Sequence, residues 1–411
     1  LKAYSGKPFI TMASPLPKDK IPVFFEDTSV AFASKSDSRL RKTYWLFSLM
    51  NQARVVNLGT FFLKLALKLH LPIKNLIRVT IFEQFCGGET ISECDETIHS
   101  LGKSGIGTIL DYSVEGEGSE LSFNETAKEI INTIDKASQS TDIPFSVFKI
   151  TGIASSELLE KVQRKEVLSE EETTLFNKAR QRVEELCAHA HKMNVRIFVD
   201  AEESWIQGII DDLTYEMMEK FNTEKAIVYN TYQLYRHETL DALKGAYLIA
   251  RQKGYVLGGK LVRGAYMEKE RLRARENEYF NPIHASKEAT DADYNSAIDF
   301  CIENLKHISI CLGTHNEYSC QYCATKMEKL GIDKKDNRIW FAQLLGMSDN
   351  ISYNLAKANY NVAKYVPYGP ISAVLPYLMR RAEENTSIAG QSSREFLMVK
   401  SELKRRGISS L

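Results

Sequence analysis

From Gly105 onward, short runs rich in β-branched and aromatic residues alternate with longer stretches whose apolar positions recur every three or four residues. This alternation predicts a parallel sheet with covering helices, an α/β fold. Strands are predicted at Gly107–Tyr112, Ser146–Thr151, Arg196–Asp200, Ala226–Thr231, Gly258–Val262, Ser309–Thr314, Ile339–Leu344 and Ala363–Tyr365. Several are continuous apolar runs, the pattern of strands covered on both faces. Eight such strands suit a distorted (β/α)8 TIM barrel spanning residues 101–411, with a helical arm over residues 1–100. The crossover Ser155–Asn194 is long and charged, and is expected to form two helices. Pro8, Pro15, Pro17 and Pro22 leave the first 40 residues or so without a long helix.

In the arm, the segment from Ser38 to Phe82 carries eight Lys/Arg and no Asp/Glu. Within it, Lys64 and Lys68 lie four apart among Phe61, Phe62, Leu63, Leu65, Leu67, Leu69 and Leu71, an amphipathic pattern that Pro72 ends. Such a segment either packs on its own protein, the commoner arrangement, or rests on an anionic membrane. The chain as a whole has 53 Lys/Arg against 53 Asp/Glu, so its charge gives no reason to expect nucleic-acid binding. Seven scattered cysteines argue for a reducing compartment, and Cys320-x-x-Cys323, with no second pair, reads as structural thiols and not a metal site. No apolar run is long enough to predict a transmembrane helix, and nothing near Leu1 reads as a signal or transit peptide.

Chemistry is concentrated at the C-terminal ends of the predicted strands, where barrel active sites form. Those ends read Lys149, Asp200-Ala201-Glu202-Glu203-Ser204, Asn230-Thr231-Tyr232-Gln233, Val262-Arg263-Gly264-Ala265-Tyr266, Thr314-His315-Asn316 and Gln343. Six successive polar ends are hard to explain as core. No G-x-G-x-x-G follows a strand, and Gly102-Lys103-Ser104-Gly105 precedes one, so neither a Rossmann site nor a phosphate loop is expected. Near the end of the chain, Tyr377, Arg380, Arg381 and Glu384 fall at i, i+3, i+4 and i+7, one helical face. Two adjacent guanidinium forks on that face suit a carboxylate or phosphate.

The stretch Tyr377-Leu378-Met379-Arg380-Arg381-Ala382-Glu383-Glu384-Asn385 resembles the Y-L-x-R-R-x-x-E-N signature of proline dehydrogenases. Further blocks are similar to that family: Phe148-Lys149-Ile150, Val199-Asp200-Ala201-Glu202-Glu203-Ser204, Lys260-Leu261-Val262-Arg263-Gly264-Ala265-Tyr266, Thr314-His315-Asn316 and Tyr365. The resemblance runs from about 105 to 400. It implies FAD lying across the barrel mouth, in contact with Ala201, Asn230, Gln233, Lys260, Val262, Arg263, Gly264, Ala265, Thr314, His315, Asn316 and Glu384. Either Asn230 or Gln233 would face the flavin. Lys260 and Arg263 reverse the Arg and Lys of bacterial members, which keeps both charges and changes their donor geometry. Met267 replaces a Trp of some bacterial members.

The implied reaction removes a hydride from C5 of L-proline and the proton from its amine, leaving 1-pyrroline-5-carboxylate. Arg380, Arg381 and Lys149 would cage the carboxylate, and Leu261, Tyr266, Tyr365 and Tyr377 would wall the ring. Asp200, Lys260 and Lys149 would form the catalytic set, with Asp200 orienting Lys149 and the flavin. Glu115 would gate the site by pairing with Arg380. The resemblance also implies a membrane quinone as electron acceptor and a place on the matrix face of the mitochondrial inner membrane, with membrane contact through residues 38–82. A tyrosine at 365 favours proline over the substrate of the related hydroxyproline dehydrogenases. The nearest rival reading is a hydroxyproline dehydrogenase of the same fold; further ones are a lyase using Lys149 as a Schiff-base nucleophile, and a membrane-associated binding module built on residues 38–82.

Overall fold

Eight parallel strands close into a barrel in simple sequential order, β1 to β8. They are β1 Ile106–Tyr112, β2 Phe145–Phe148, β3 Arg196–Val199, β4 Val228–Gln233, β5 Leu257–Val262, β6 Ile308–Gly313, β7 Ile339–Leu344 and β8 Val362–Tyr368. The computed structural model describes residues 22–52, 54, 56, 59, 69, 73–113, 118–387 and 391–409, of which 382–387 and 391–393 by backbone alone. Every predicted strand is present. Two run further than the sequence pattern showed, β4 to Gln233 and β8 to Tyr368, while β2 stops at Phe148. Lys149 therefore begins a short 3-10 turn, Ile150–Gly152. The predicted pair of helices in the second crossover is Ser156–Gln163 and Glu170–Lys192, the latter opened by a Ser169–Glu172 capping box.

The strand faces separate two cores. Ile109, Phe145, Val147, Phe198, Tyr229, Cys311, Ala342, Ala363 and Tyr365 fill the barrel interior. Their sequence neighbours, among them Leu110, Phe148, Ile197, Val199, Val228, Tyr232, Leu261 and Leu312, pack outward against the helices. Because strand side chains alternate, this fixes which residue at each strand end faces the mouth. Arg196, at the opposite end, lies 5.3 Å from the Phe145 ring centroid and 5.7 Å from that of Trp340.

The arm is bound to the chain's other end. Helix Asp37–Met50 buries Leu40, Thr43, Phe47 and Met50. Leu40 packs with Val399 and Leu403 of the helix Gln391–Arg405, while Phe47 and Met50 pack with Ile371, Val374, Leu375 and Leu378. Arg406 donates to the Phe32 and Lys35 carbonyls at 2.7 and 2.8 Å. The helix Ile371–Ser387, which carries the paired arginines, is thus seated on the arm.

In the basic segment, Arg39 and Lys42 pair with Glu83, and Lys74 and Arg78 with Glu89. Beside these pairs Trp45, Leu49, Leu76 and Val79 are each at least half exposed. Most of the Phe61–Leu71 stretch lies outside the described residues. No helix among the described residues is long and apolar enough to cross a membrane.

Candidate active site

Four interior-facing strand ends bring alternating charges around one side of the mouth: Asp111 of β1, Lys149 after β2, Asp200 after β3 and Lys260 of β5. Lys260 is buried and pairs with Asp200, and it donates to the Tyr365 phenol oxygen at 2.7 Å. Its ammonium also lies 4.7 Å from the Tyr365 ring centroid and 5.2 Å from that of Phe198. The Tyr365 hydroxyl reaches Asp200 at 3.4 Å. Burial, with Asp200 beside it, pushes that phenol well above its ordinary pKa, so it stays protonated. Burial likewise raises the Asp111 carboxyl, against the opposing pull of Lys149.

Lys149 is held charged. Tyr266, and then Asp111, Asp200 and Glu202, raise its ammonium above the ordinary lysine value. Burial raises the Tyr266 phenol in turn, against the opposing pull of Lys149. A Schiff-base lysine has to offer a free amine, and these surroundings favour the opposite state. Glu202 is buried beside this group, accepting from the Thr151 N–H at 3.0 Å and from the Thr151 hydroxyl. Burial pushes its carboxyl up to about 7.

The other side of the mouth is built from β5, β6 and the helices after them. Gly264 has φ 139°, and a Cβ there would fall 2.4 Å from the Tyr235 ring, so only glycine makes this turn. The turn leaves Gly264 and Ala265 exposed at the mouth, open to close backbone approach. Arg263 donates to Asp291 and Thr314, each at 2.7 Å, and to Ser319 at 3.0 Å, and it stacks 4.4 Å from the Tyr294 ring centroid. His315 places Nδ1 at 2.8 Å from the Ser348 hydroxyl. Burial, with Lys364, Arg381 and Arg263 nearby, lowers its pKa to about 3, so it is neutral. Arg381 is among the cations close to His315, which puts the arginine-bearing helix Ile371–Ser387 at this same edge.

The proline dehydrogenase family model matches residues 94–394. This chain belongs to the proline dehydrogenase family. It is an enzyme of that family, an oxidoreductase, and proline dehydrogenases generally depend on a flavin. Among its relatives, mitochondrial proline dehydrogenase 1 of Dictyostelium discoideum is 33% identical over 92% of this chain and 74% of that protein. The mitochondrial proline dehydrogenase 1 of Homo sapiens is 44% identical over 58% of this chain and 40% of its own length. The proline utilization A (PutA) structure from Bdellovibrio bacteriovorus superimposes with a TM-score of 0.71 at 19% identity, covering 94% of this chain and 41% of that one. The chain thus spans under half of the human and bacterial relatives and about three quarters of the Dictyostelium one.

Among the residues singled out in proline dehydrogenase terms, Lys149, Asp200, Lys260, Tyr266 and Tyr365 are brought together, and Ala201 and Gln233 adjoin them in the mouth. Val262 lies on the inner face of β5. Two expectations are corrected. Leu261 is on the outer face of β5, fully buried among helices, and cannot wall a substrate at the mouth. Leu344, which the sequence did not single out, contacts both the barrel interior and the cluster that contains Tyr377, and it is the apolar residue at that position. The Asn230 side chain also points outward, donating to Asp211 at 2.8 Å and accepting from the Thr231 N–H at 2.9 Å. Gln233 faces the mouth in its place and donates to the Glu202 carbonyl at 2.7 Å. Thr314 and Asn316 are turned to structure: the Thr314 hydroxyl oxygen accepts from Arg263, and Asn316 caps the helix Glu317–Lys329. Glu115 lies outside the described residues, as does the side chain of Glu384.

Asp111 and Glu202 complete the group. Their signal in the sequence was only their position at a strand end.

A flavin dinucleotide fits this donor set. The exposed Gly264–Ala265 backbone permits close approach, Lys260 and Arg263 supply cations, and neutral His315 offers an imidazole donor.

Proposed function

We propose that this chain binds FAD across the barrel mouth and oxidises L-proline to 1-pyrroline-5-carboxylate, with the electrons passing to a membrane quinone. The observation that carries this reading is the Lys260–Asp200–Tyr365 arrangement, joined through Leu344 to the helix that carries Arg380 and Arg381. Ala201, Gln233, Val262, Gly264, Ala265 and His315 would hold the cofactor, with the charge of Lys260 and Arg263 beside it. The flavin, when bound, supplies the hydride acceptor. Arg380 and Arg381, with the Lys149 ammonium, clamp the substrate carboxylate. Tyr365, fixed from behind by Lys260, and Leu344 close around the ring and exclude water. By the family resemblance, the fixed Tyr365 phenol would leave no room for a 4-hydroxyl, which favours proline over 4-hydroxyproline. The Lys260 cation would stabilise negative charge on a flavin held beside it.

The mitochondrial names of the relatives support a mitochondrial place for this chain, and a membrane quinone as acceptor would set it on the matrix face of the inner membrane. Contact with that membrane would run through the exposed Trp45, Leu49, Leu76 and Val79 of the arm.

The deciding experiment is an absorbance spectrum of the purified protein before and after anaerobic addition of L-proline. A flavin spectrum that bleaches with proline, and much less with 4-hydroxyproline, is expected. A protein that neither carries nor takes up FAD would overturn the reading.

A further inference from the structure

Behind His315 lies a buried polar chain that none of the proposed chemistry uses. Ser348 stands between β7 and the helix Asp349–Lys357 in the left-handed region, at φ 50° and ψ 42°. A non-glycine residue there costs roughly 1–2 kcal/mol and persists only when its surroundings hold it. Here its N–H donates to Glu395 Oε1 at 2.6 Å, and its hydroxyl meets His315 Nδ1 at 2.8 Å. Both Ser348 and Glu395 are buried. Asp349, the next residue, is gripped by Lys364 at 2.8 Å and by Lys35 of the arm at 3.1 Å. Glu395 belongs to the last helix, the one seated on the arm. The two ends of the chain therefore converge on the adjacent Ser348 and Asp349, and the serine touches one imidazole.

The direction of the hydrogen bond follows from the partners. Among the described residues the Ser348 hydroxyl meets no acceptor other than His315, so its proton goes to the Nδ1 lone pair. A neutral His315 then carries its own proton on Nε2.

We propose that Ser348 and Glu395 are positioning residues for His315: Glu395 anchors the Ser348 backbone, and the Ser348 hydroxyl fixes His315 as the Nε2-protonated imidazole presented to the cofactor. The inference rests on the reading that His315 contacts FAD. Burial, and then Asp349, push the Glu395 carboxyl up to about 7. Either protonation state keeps an oxygen that accepts the Ser348 N–H, so glutamine can serve there.

The test compares holoenzymes of the parent, Ser348→Ala, Glu395→Gln and Glu395→Leu by FAD dissociation constant, flavin midpoint potential and melting temperature. Ser348→Ala should weaken FAD binding about tenfold, the equivalent of about 1.4 kcal/mol for a lost hydrogen bond, and shift the potential. Glu395→Leu should behave alike, and Glu395→Gln should match the parent in affinity and potential. A merely structural role would lower melting temperature and leave the potential of the bound flavin unmoved. If Glu395→Leu does not fold, Ser348→Ala carries the test alone, since it removes a single oxygen. A parent that holds FAD while Ser348→Ala equals it in affinity and potential overturns this inference alone. A parent that takes up no FAD overturns the functional reading with it.

Discussion

Lys260 and Asp200 show how one buried pair sets both stability and chemistry. An ammonium under two aromatic rings is tolerable only because Asp200 and the Tyr365 oxygen meet it. Removing either charge alone strands the other: Asp200→Ala and Lys260→Met are each expected to lower unfolding free energy by roughly 3–5 kcal/mol, and the double variant by less than their sum. Urea denaturation of the three proteins checks this, and two single variants within about 1 kcal/mol of the parent would refute the coupling. Lys149 makes a separate prediction. Its carboxylate neighbours keep it charged, so borohydride with substrate should trap no adduct on it. A trapped adduct would favour the lyase.

At the scale of elements, the helix Ile371–Ser387 carries the arginine half of the site, and the arm is what seats it. Phe47 and Met50 pack beneath it, while Tyr377, Arg380 and Arg381 lie within its length. Arg381→Lys keeps the charge and loses the planar fork. It is expected to raise KM for proline about tenfold or more while changing kcat far less, the signature of lost ground-state clamping. Equal losses in kcat and kcat/KM would instead place Arg381 in the transition state. On the arm's outer face, Trp45→Ser with Leu49→Ser should release the protein from anionic liposomes in a sedimentation assay without changing its flavin spectrum. Unchanged sedimentation would remove that face as the membrane contact.

For the whole molecule, buried acids and a buried imidazole act on stability in opposite senses. Glu202 is raised from 4.5 to about 7, so between those values the folded chain keeps a proton that the unfolded chain has released. Stability contributed this way is present below about pH 4.5 and is lost as pH rises towards 7. His315 works the other way: lowered from 6.5 to about 3, it makes the unfolded chain the better proton binder, and stability falls as pH drops through that window. Glu202→Gln should therefore raise stability at pH 7 relative to pH 5, by up to roughly 3 kcal/mol compared with the parent, when denaturation is followed against pH. An unaltered slope would mean that Glu202 is not the group responsible.

The number, order and approximate bounds of the eight strands, and the clustering of ionisable groups at their C-terminal ends, were legible in the linear chain because alternation, periodicity and capping are local properties. The family resemblance rested on equally local blocks. What the chain alone did not reveal was which face of a strand looks inward. Strands covered on both sides are apolar throughout, so Leu261 and Asn230 carry no mark that separates them from Leu344 and Gln233; only barrel closure assigns the two faces. The same holds for Lys35, Asp349, Lys364, Ser348 and Glu395, which are far apart in sequence and read as ordinary surface residues until folding buries them together. Local pattern decided the elements and the residue types at the mouth. The tertiary structure decided partners and orientation, because those depend on burial and on contacts between distant parts of the chain.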